Sequence, residues 1–510
     1  MAMEYLLGID NGGTYTKAVL FDIKGKEIAH ASAQVPLLTP APQHTERDME
    51  ELWQANAEVV RRVMEKSGVA PGLVKGVSFS GHGKGLYLWG RDGRPAWNGI
   101  VSTDGRASEY PLRFQDDGTA QKLFSMTCQR VLTCQPVSLL CWFRDNHPQV
   151  LENTQWIFGV KDYIRYRMTG VAAAEITDLS GSSLVNLGTA SYDPEILRLT
   201  GLVMCADKLP PLKYSTEICG FVTEEAAALT GLAPGTPCAA GMFDIDACAV
   251  AMNITDSENL AVIAGTWSIN EYISTQPVLD GSVMMNSLYC IPGYYLIEES
   301  SPTSAANHEW FINMFLREEK ERCMRTGENI YALTDRMAKS VLPDGQNIVF
   351  LPYIFGGNYN SRAKASFVGM DSHHTKEQIM RAVFEGVAFC HMTHLEKLLQ
   401  NREHTRAVRL AGGVCNSAVW VQIFADVFGL PIEIIRTKEL GAFGAAMAAG
   451  VASGHYKSLE SAARTMVQVE RIVQPIAANI PIYRKKYEQY KKIADALEPY
   501  WDGFEQQSQA

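Results

Sequence analysis

Three glycine-bearing turns hold the residue types best suited to an anion. The first, in "YLLGIDNGGTYTKAVLFD", sets Asp10-Asn11-Gly12-Gly13-Thr14 between two apolar runs, with Thr16 just beyond. A hairpin needs only a two-residue turn such as Asn-Gly. The surplus is a carboxylate ending the first run, a second glycine and two hydroxyls. Backbone N–H groups in such a turn cradle phosphate oxygens without a bulky cation, and a neighbouring carboxylate suits a divalent cation with its waters. The second turn, Gly265-Thr266-Trp267-Ser268 in "NLAVIAGTWSINEYIS", repeats the theme hundreds of residues later. The third, Gly412-Gly413 in "VRLAGGVCNSAVWVQIFADVFGL", lies between a strand pattern and a helix pattern, with Asn416 close behind. A strand, two glycines and a helix N-terminus turn N–H groups toward a nucleotide. One Gly-Gly-Thr turn is usually only a turn; three such elements in one chain point to a ligand.

Other side chains offer acid–base and hydrogen-bonding chemistry. Asp244 in "GMFDIDACA" precedes an apolar run. It reads either as a base for a reacting hydroxyl or as the N-cap of a following helix. Asp246 is its rival, sharing a face with it on a strand or turn. "GHGKGL" approaches the dinucleotide fingerprint, but Leu86 stands where the third glycine belongs, so it argues little for such a site. His82, Gly83 and Lys84 in that loop, with Asp104 and Arg106 in "STDGRA", mix donors and acceptors as a polyhydroxylated ligand requires. Taken singly, His82 reads as a satisfied core histidine and Asp104-Gly105-Arg106 as a solvated turn. Trp89 and Trp97 stack on a ring or fill core. No G-x-x-x-x-G-K-[ST] occurs, which excludes a P-loop enzyme.

Composition narrows the classes. A chain of 510 residues is too long for one core and makes two or three domains. Its 46% hydrophobic and 20% charged residues are those of a globular protein. A net charge of −10 argues against nucleic acid as a partner. Eleven cysteines lie scattered without a C-x-x-C pair, and no histidine spacing completes a zinc site around Cys128, Cys134 and Cys141. They read as reduced, buried thiols of a cytoplasmic protein. "MAMEYLLGID" lacks the pattern of a signal peptide. "LGAFGAAMAAGVASG" is too short to span a bilayer, so no membrane partner is expected.

The elements that must hold these turns are legible in outline. Residues 5–9 and 15–21 read as strands, and "DIKGKEIAHA" turns into a third. "DMEELWQANAEVVRRVMEKSG" sets Met49, Leu52, Trp53, Val59, Val60 and Val63 on one helical face, with Asp48 as cap and Gly68 as stop. "VKGVSFSG" is a further strand. After Gly412-Gly413 a helix is expected to bury Trp420, Ile423, Phe424, Val427 and Phe428. The charged periodic run "IYRKKYEQYKKIADALEPYW" reads as a surface helix.

The order of these elements resembles the FGGY family of sugar kinases, which share the architecture of actin, hexokinase and the heat-shock ATPases. The resemblance covers essentially the whole chain. It runs through "GIDNGGTYTKAVLFD", "HTERDMEELW", "GVSFSGHGKGLYLWGRDGRPAWNGIVSTDGRAS", "GMFDIDACA", "AVIAGTWS", "FLPYIFGGNYNSRAKASFVGM", "RLAGGVCNSAVW" and "ELGAFGAAMAAG". Leu139 stands where the family's P-x-x-K signature carries Lys, and His82-Gly83-Lys84 departs from the Gln of many relatives. The resemblance implies an α/β fold of two ribonuclease H-like domains around a central cleft. Residues 1–248 would bind sugar and carry the first phosphate clasp; residues 249–510 would bind nucleotide and carry the second. It implies ATP and Mg2+ as cofactors, with Asp10 at the metal. Asp10, Gly12, Gly13, Thr14, Thr16, Gly265, Thr266, Gly412, Gly413 and Asn416 would hold the nucleotide. His82, Gly83, Lys84, Asp104, Arg106 and Asp244 would hold the sugar, with Asp244 the catalytic base.

The implied reaction is phosphoryl transfer to the terminal hydroxyl of a ketopentose. "GHGKGLYL", "QPVSLL" and "ESSPTSAANHEWF" resemble the branch acting on L-xylulose; D-xylulose, L-ribulose and the autoinducer ketose are the alternatives. A non-transferring nucleotide-gated protein of the actin type is the alternative from another class. The family leaves room for a homodimer.

Overall fold

A computed structural model describes residues 3–504 apart from 359, 361, 401 and 403. Two of these, 359 and 361, interrupt the "FLPYIFGGNYNSRAKASFVGM" block and lie outside the described residues. The chain divides into two compact units. One comprises Met1–Thr255, Ile273–Ile297 and Glu439–Val467; the other comprises Asp256–Tyr272, Glu298–Lys438 and Gln468–Ala510. The expected boundary at 248/249 falls inside the helix Asp244–Ala251, and the chain leaves the first unit after Thr255.

The first unit is built on a mixed sheet ordered Ile218–Phe221, Pro237–Ala239, Val74–Gly81, Tyr5–Asn11, Tyr15–Asp22, Glu27–Gln34. The short strand Met242–Phe243 pairs in parallel with the end of Val74–Gly81. The three strands expected at the start form an antiparallel meander, and Tyr5–Asn11 runs parallel to Val74–Gly81. Helix Met49–Ser67 begins where the Asp48 carboxylate accepts from Glu51 N–H at 2.8 Å and stops at Gly68 in the left-handed region. Its buried face includes all six residues expected from the periodicity and joins the core with Leu7, Ile9, Val77 and Phe79. A second core, from Leu86 to Cys205, gathers the segment that follows the loop 81–85.

Helix Leu440–Ala452 also belongs to this unit, although it follows the third glycine turn in sequence and was expected in the C-terminal domain. It is buried on every side from Leu440 to Gly450, as an all-apolar helix must be. Close approach explains its glycines and alanines. A Cβ on Gly8 would lie 1.8 Å from Ala442 O, and one on Gly444 would lie 2.2 Å from Ala247 O.

The second unit carries a sheet in which Asn259–Ala264 pairs antiparallel with Ser268–Ser274 and parallel with Ala407–Ala411. Ile432–Ile435 and Val469–Val473 continue it. Helix Lys376–Gln400 packs with helix Ala418–Phe428, where the rings of Phe384 and Trp420 stack at 4.1 Å. Trp420, Ile423, Phe424 and Phe428 are buried as expected, while Val427 is half-buried. The charged C-terminal run is helix Ile480–Leu497, a mixture of exposed and half-buried residues that buries Tyr483, Tyr487 and Tyr490. Among the described residues no helix is long and apolar enough to cross a membrane.

Candidate active site

In the first unit the chemistry gathers at the carboxyl ends of three parallel strands. Asp10 stands opposite Ser80 across the pair Tyr5–Asn11 and Val74–Gly81, and Ser80 Oγ donates to Asp10 Oδ1 at 2.7 Å. The first turn of helix Leu440–Ala452 lies against the same carboxylate: a Cβ on Gly441 would come 2.6 Å from Asp10 Cγ. Lys17, opposite Asp10 on the next strand, pairs with Glu439 at 2.8 Å. Burial raises the Asp10 pKa, opposed by the Ser80 hydrogen bond and the Lys17 charge.

The turn itself is tight, with Gly12 N–H donating to Tyr15 O at 3.0 Å. Gly13 and Thr14 are exposed. Thr16 is not: its buried hydroxyl donates to Asn56 Oδ1 at 2.9 Å, and Asn56 in turn donates to Asn11 Oδ1 at 2.8 Å. Thr16 therefore braces the turn from beneath, its hydroxyl directed away from the exposed face. Arg47, buried and absent from the expected set, donates from Nη2 to Gly13 O at 2.6 Å.

The loop after Val74–Gly81 is pinned to this turn by His82 N–H, which donates to Asn11 O at 3.0 Å. His82 is buried, 3.1 Å from the Tyr87 hydroxyl, and its pKa falls to about 4 because of burial and the nearby Arg47 charge. It is a neutral imidazole. Gly83 lies against the Phe243 ring, where a Cβ would come within 2.4 Å. Lys84 adopts a positive φ of 64° and stays half-buried.

Asp104 and Arg106 form a buried ion triad with Glu46, not a solvated turn. Arg106 Nη2 lies 2.8 Å from both Glu46 Oε1 and Asp104 Oδ2. Both Asp104 oxygens are engaged by Arg106 and by Thr45 N–H, whereas buried Arg106 Nη1 has no partner. Arg106 is thus the member of the pair with hydrogen-bonding capacity to spare. Trp97 donates to Glu46 Oε1 at 2.8 Å and Trp89 is buried between Tyr163 and Tyr166. Trp89 fills core, and half-buried Trp97 packs against the second core.

Asp244 opens the helix Asp244–Ala251 directly after strand Met242–Phe243, whose register sets Met242 beside Ser80 and Phe243 beside Gly81. It is the first helical residue, not the cap, which is Phe243. Burial raises its pKa well above the usual carboxylate value, and the charges of Asp10 and Asp178 raise it further; Lys84 opposes them. Asp246 differs in kind. It is fully buried, its Oδ1 accepts from Cys290 N–H at 2.9 Å, and its Oδ2 has no partner. The expectation that it shares Asp244's face assumed a strand or turn; on a helix two residues are separated by about 200°.

Asp178, whose charge acts on Asp244, belongs to a charge cluster unmarked in the sequence. Buried Lys161 sits 3.0 Å from Asp178, 3.4 Å from Asp162 and 3.5 Å from Glu175. "VKDYIRYR" and "EITDLSGSS" carry these residues, and charged residues in such runs read as exposed faces until the fold buries them.

In the second unit, Gly265 N–H donates to Trp267 O at 3.2 Å, leaving Thr266 and Trp267 exposed. The turn is anchored by Ser268 Oγ, 3.0 Å from Nδ1 of buried His391, whose Nε2 lies 2.8 Å from Ser304 Oγ. Gly412 adjoins it: at φ 98° a Cβ there would lie 2.3 Å from Ala264 O. Gly413 and Asn416 are exposed, with Asn416 Nδ2 donating to Gly413 O at 3.3 Å. The helix does not start directly after the glycines as expected. A 3-10 turn, Gly413–Asn416, intervenes, and Ser417 caps Ala418–Phe428 through Trp420 N–H.

Residues 5–251 match the family model described as the FGGY family of carbohydrate kinases, N-terminal domain, and residues 260–453 match that of the C-terminal domain. The chain belongs to the FGGY family of carbohydrate kinases. This FGGY kinase is 36% identical over 499 residues to the L-xylulose/3-keto-L-gulonate kinase of Escherichia coli (strain K12), covering 98% of each chain. It is 34% identical to a probable L-xylulose kinase of Pasteurella multocida, over 97% of this chain and 99% of that one. Among solved structures, ligand-bound xylulose kinase from Lactobacillus acidophilus superposes with a TM-score of 0.89 at 25% identity, covering 98% of the FGGY kinase and all 100% of its relative.

Proposed function

We propose that this FGGY kinase transfers the γ-phosphoryl group of ATP to the terminal hydroxyl of a ketopentose, with L-xylulose the preferred acceptor. Asp244 carries the reading: a carboxylate at the end of the strand beside Ser80 and Gly81, its proton affinity raised by burial and by Asp10 and Asp178. A carboxylate of raised proton affinity takes a proton from an alcohol more readily than an ordinary one. The acceptor hydroxyl gives its proton to Asp244 as its oxygen bonds the γ-phosphorus. The bond from that phosphorus to the bridging oxygen breaks, and ADP leaves. Neutral His82, Gly83, Lys84 and the spare nitrogen of Arg106, held by Asp104, support sugar binding. The exposed turns at Gly12-Gly13-Thr14, Gly265-Thr266 and Gly412-Gly413, with Asn416, support nucleotide binding.

Among the described residues no three His, Cys, Asp or Glu side chains gather as a metal cluster. Mg2+ needs no such cluster, because it keeps waters and takes phosphate oxygens beside one or two carboxylates. Asp10, with one oxygen held by Ser80, fits that requirement and would hold the ion, whose chemistry is neutralisation of phosphate charge. Eleven scattered cysteines without a C-x-x-C pair support a reducing, cytoplasmic setting, and the acidic charge supports a small sugar, not nucleic acid, as partner.

L-xylulose is preferred because the two relatives above carry it in their names. A site that pairs a hydroxyl strongly rejects the epimer that misplaces it. The test is ADP release across L-xylulose, D-xylulose, L-ribulose, glycerol and aldonates. The highest kcat/KM is expected for L-xylulose. A higher value for another ketopentose overturns the acceptor, and no release with any acceptor overturns the reaction.

A further inference from the structure

The strand that delivers Asp244 is only two residues long, Met242–Phe243, and pairs along one side with Val74–Gly81. Its other side needs an acceptor for the Phe243 N–H, since a buried amide left unpaired is strongly unfavourable. That acceptor is a side chain: Phe243 N–H donates to Thr177 Oγ1 at 2.9 Å, and Thr177 is fully buried. The hydroxyl has no freedom to turn away, because its own proton goes to Glu175 Oε2 at 2.8 Å. Glu175 is fixed in turn. Its Oε1 accepts from Thr177 N–H at 3.0 Å and from Ser215 Oγ at 2.8 Å, and Lys161 stands 3.5 Å from its Oε2.

Phe243 is the residue through which this order would reach the chemistry. Its ring lies against Gly83, at the centre of the sugar loop. Its backbone caps the helix that begins with Asp244. One hydrogen bond therefore bears on both the proposed base and the loop proposed to hold the acceptor. We propose that Thr177 is a positioning residue for the transfer reaction, holding Phe243 so that Asp244 meets the acceptor hydroxyl in line with the phosphoryl group. The inference rests on the reading of Asp244 as base. Displacing a reacting group by about 1 Å costs on the order of a hundredfold in rate.

The test compares Thr177→Val, Thr177→Ser and Thr177→Ala in steady-state kinetics with L-xylulose and ATP, with thermal melts of each variant. Val keeps the branched shape without an acceptor oxygen; Ser keeps the oxygen. Thr177→Val is expected to lower kcat roughly 10- to 100-fold with the KM for ATP changed by less than about twofold, and Thr177→Ser to recover to within about threefold of the parent. If the Val variant does not fold, Thr177→Ala carries the same comparison. In an Asp244→Asn background the Val substitution should bring no further loss, because residues acting as a unit are not additive. A parental kcat in the Val and Ala variants, a Ser variant as impaired as Val, or full additivity with Asp244→Asn overturns the inference. An Asp244→Asn variant with near-normal turnover overturns the reading beneath it, and the inference with it.

Discussion

Replacing Asp244 by Asn keeps its size and one acceptor oxygen but removes the ability to take a proton at neutral pH. A fall in kcat of about a hundred- to ten-thousandfold is expected, the range of general-base contributions, with ATP affinity unchanged in calorimetry because the glycine turns are intact. Asp246→Asn should leave turnover close to parental, since that carboxylate is buried on another face of the helix and bonded to Cys290 N–H. Asp10→Asn should lose activity in a way that raised Mg2+ partly restores, as for a weakened metal carboxylate. His82 gives a pH signature. Its pKa near 4 in the folded chain lies below the ordinary 6.5, so between these values the unfolded chain binds the proton and the folded one does not. Its contribution is complete above pH 6.5 and is lost as pH falls toward 4. Melting temperature should drop across that window, and His82→Gln should drop less. Asp10 and the glycines stood out in the sequence because three such turns recur in one chain, and Asp244 because of the family resemblance; each taken singly also reads as an ordinary turn or helix cap. Thr177, Arg47 and Lys161 were not, since a lone polar residue reads as surface unless its burial is known.

At the scale of elements, helix Leu440–Ala452 is fitted to its neighbours atom against atom, and two of its glycines separate function from stability. Gly444→Ala would thrust a Cβ to 2.2 Å from a backbone oxygen of Asp244–Ala251. Since backbone cannot rotate aside, destabilisation of about 1–3 kcal/mol or more is expected, seen as a lowered melting temperature. Gly441→Ala meets a side chain instead, the Asp10 carboxylate at 2.6 Å. That carboxylate moves aside only by giving up its Ser80 hydrogen bond, so melting should fall less than for Gly444→Ala while the KM for ATP rises and kcat falls. Strands and helices were legible here from their periodicity and caps. The partner of this helix was not, because a run of Ala and Gly presents no polar face to say which side meets which sheet. The 3-10 turn after Gly413 was likewise hidden, since its residues are equally at home in a helix.

Over the whole molecule, the first unit draws on three separate stretches of sequence, the last beginning at Glu439. A chain ended at Lys438 is therefore expected to lose cooperative melting of that unit, not merely a tail; a sharp parental transition in such a chain would show that the helix is dispensable. The twofold recurrence of strand–turn–strand signalled two α/β units. The return of the chain to the first was invisible, because it is decided by packing between residues hundreds of positions apart, such as Gly8 and Ala442. This threading has a consequence during synthesis. The strands Tyr5–Asn11 and Val74–Gly81 emerge early from the ribosome, whereas Leu440 follows only after most of the chain. At roughly 5–20 residues per second the apolar face that the helix will cover stays bare for tens of seconds. A nascent chain in that condition is an expected client of holdase chaperones, and its yield in cells should follow their supply more closely than the stability of the finished enzyme.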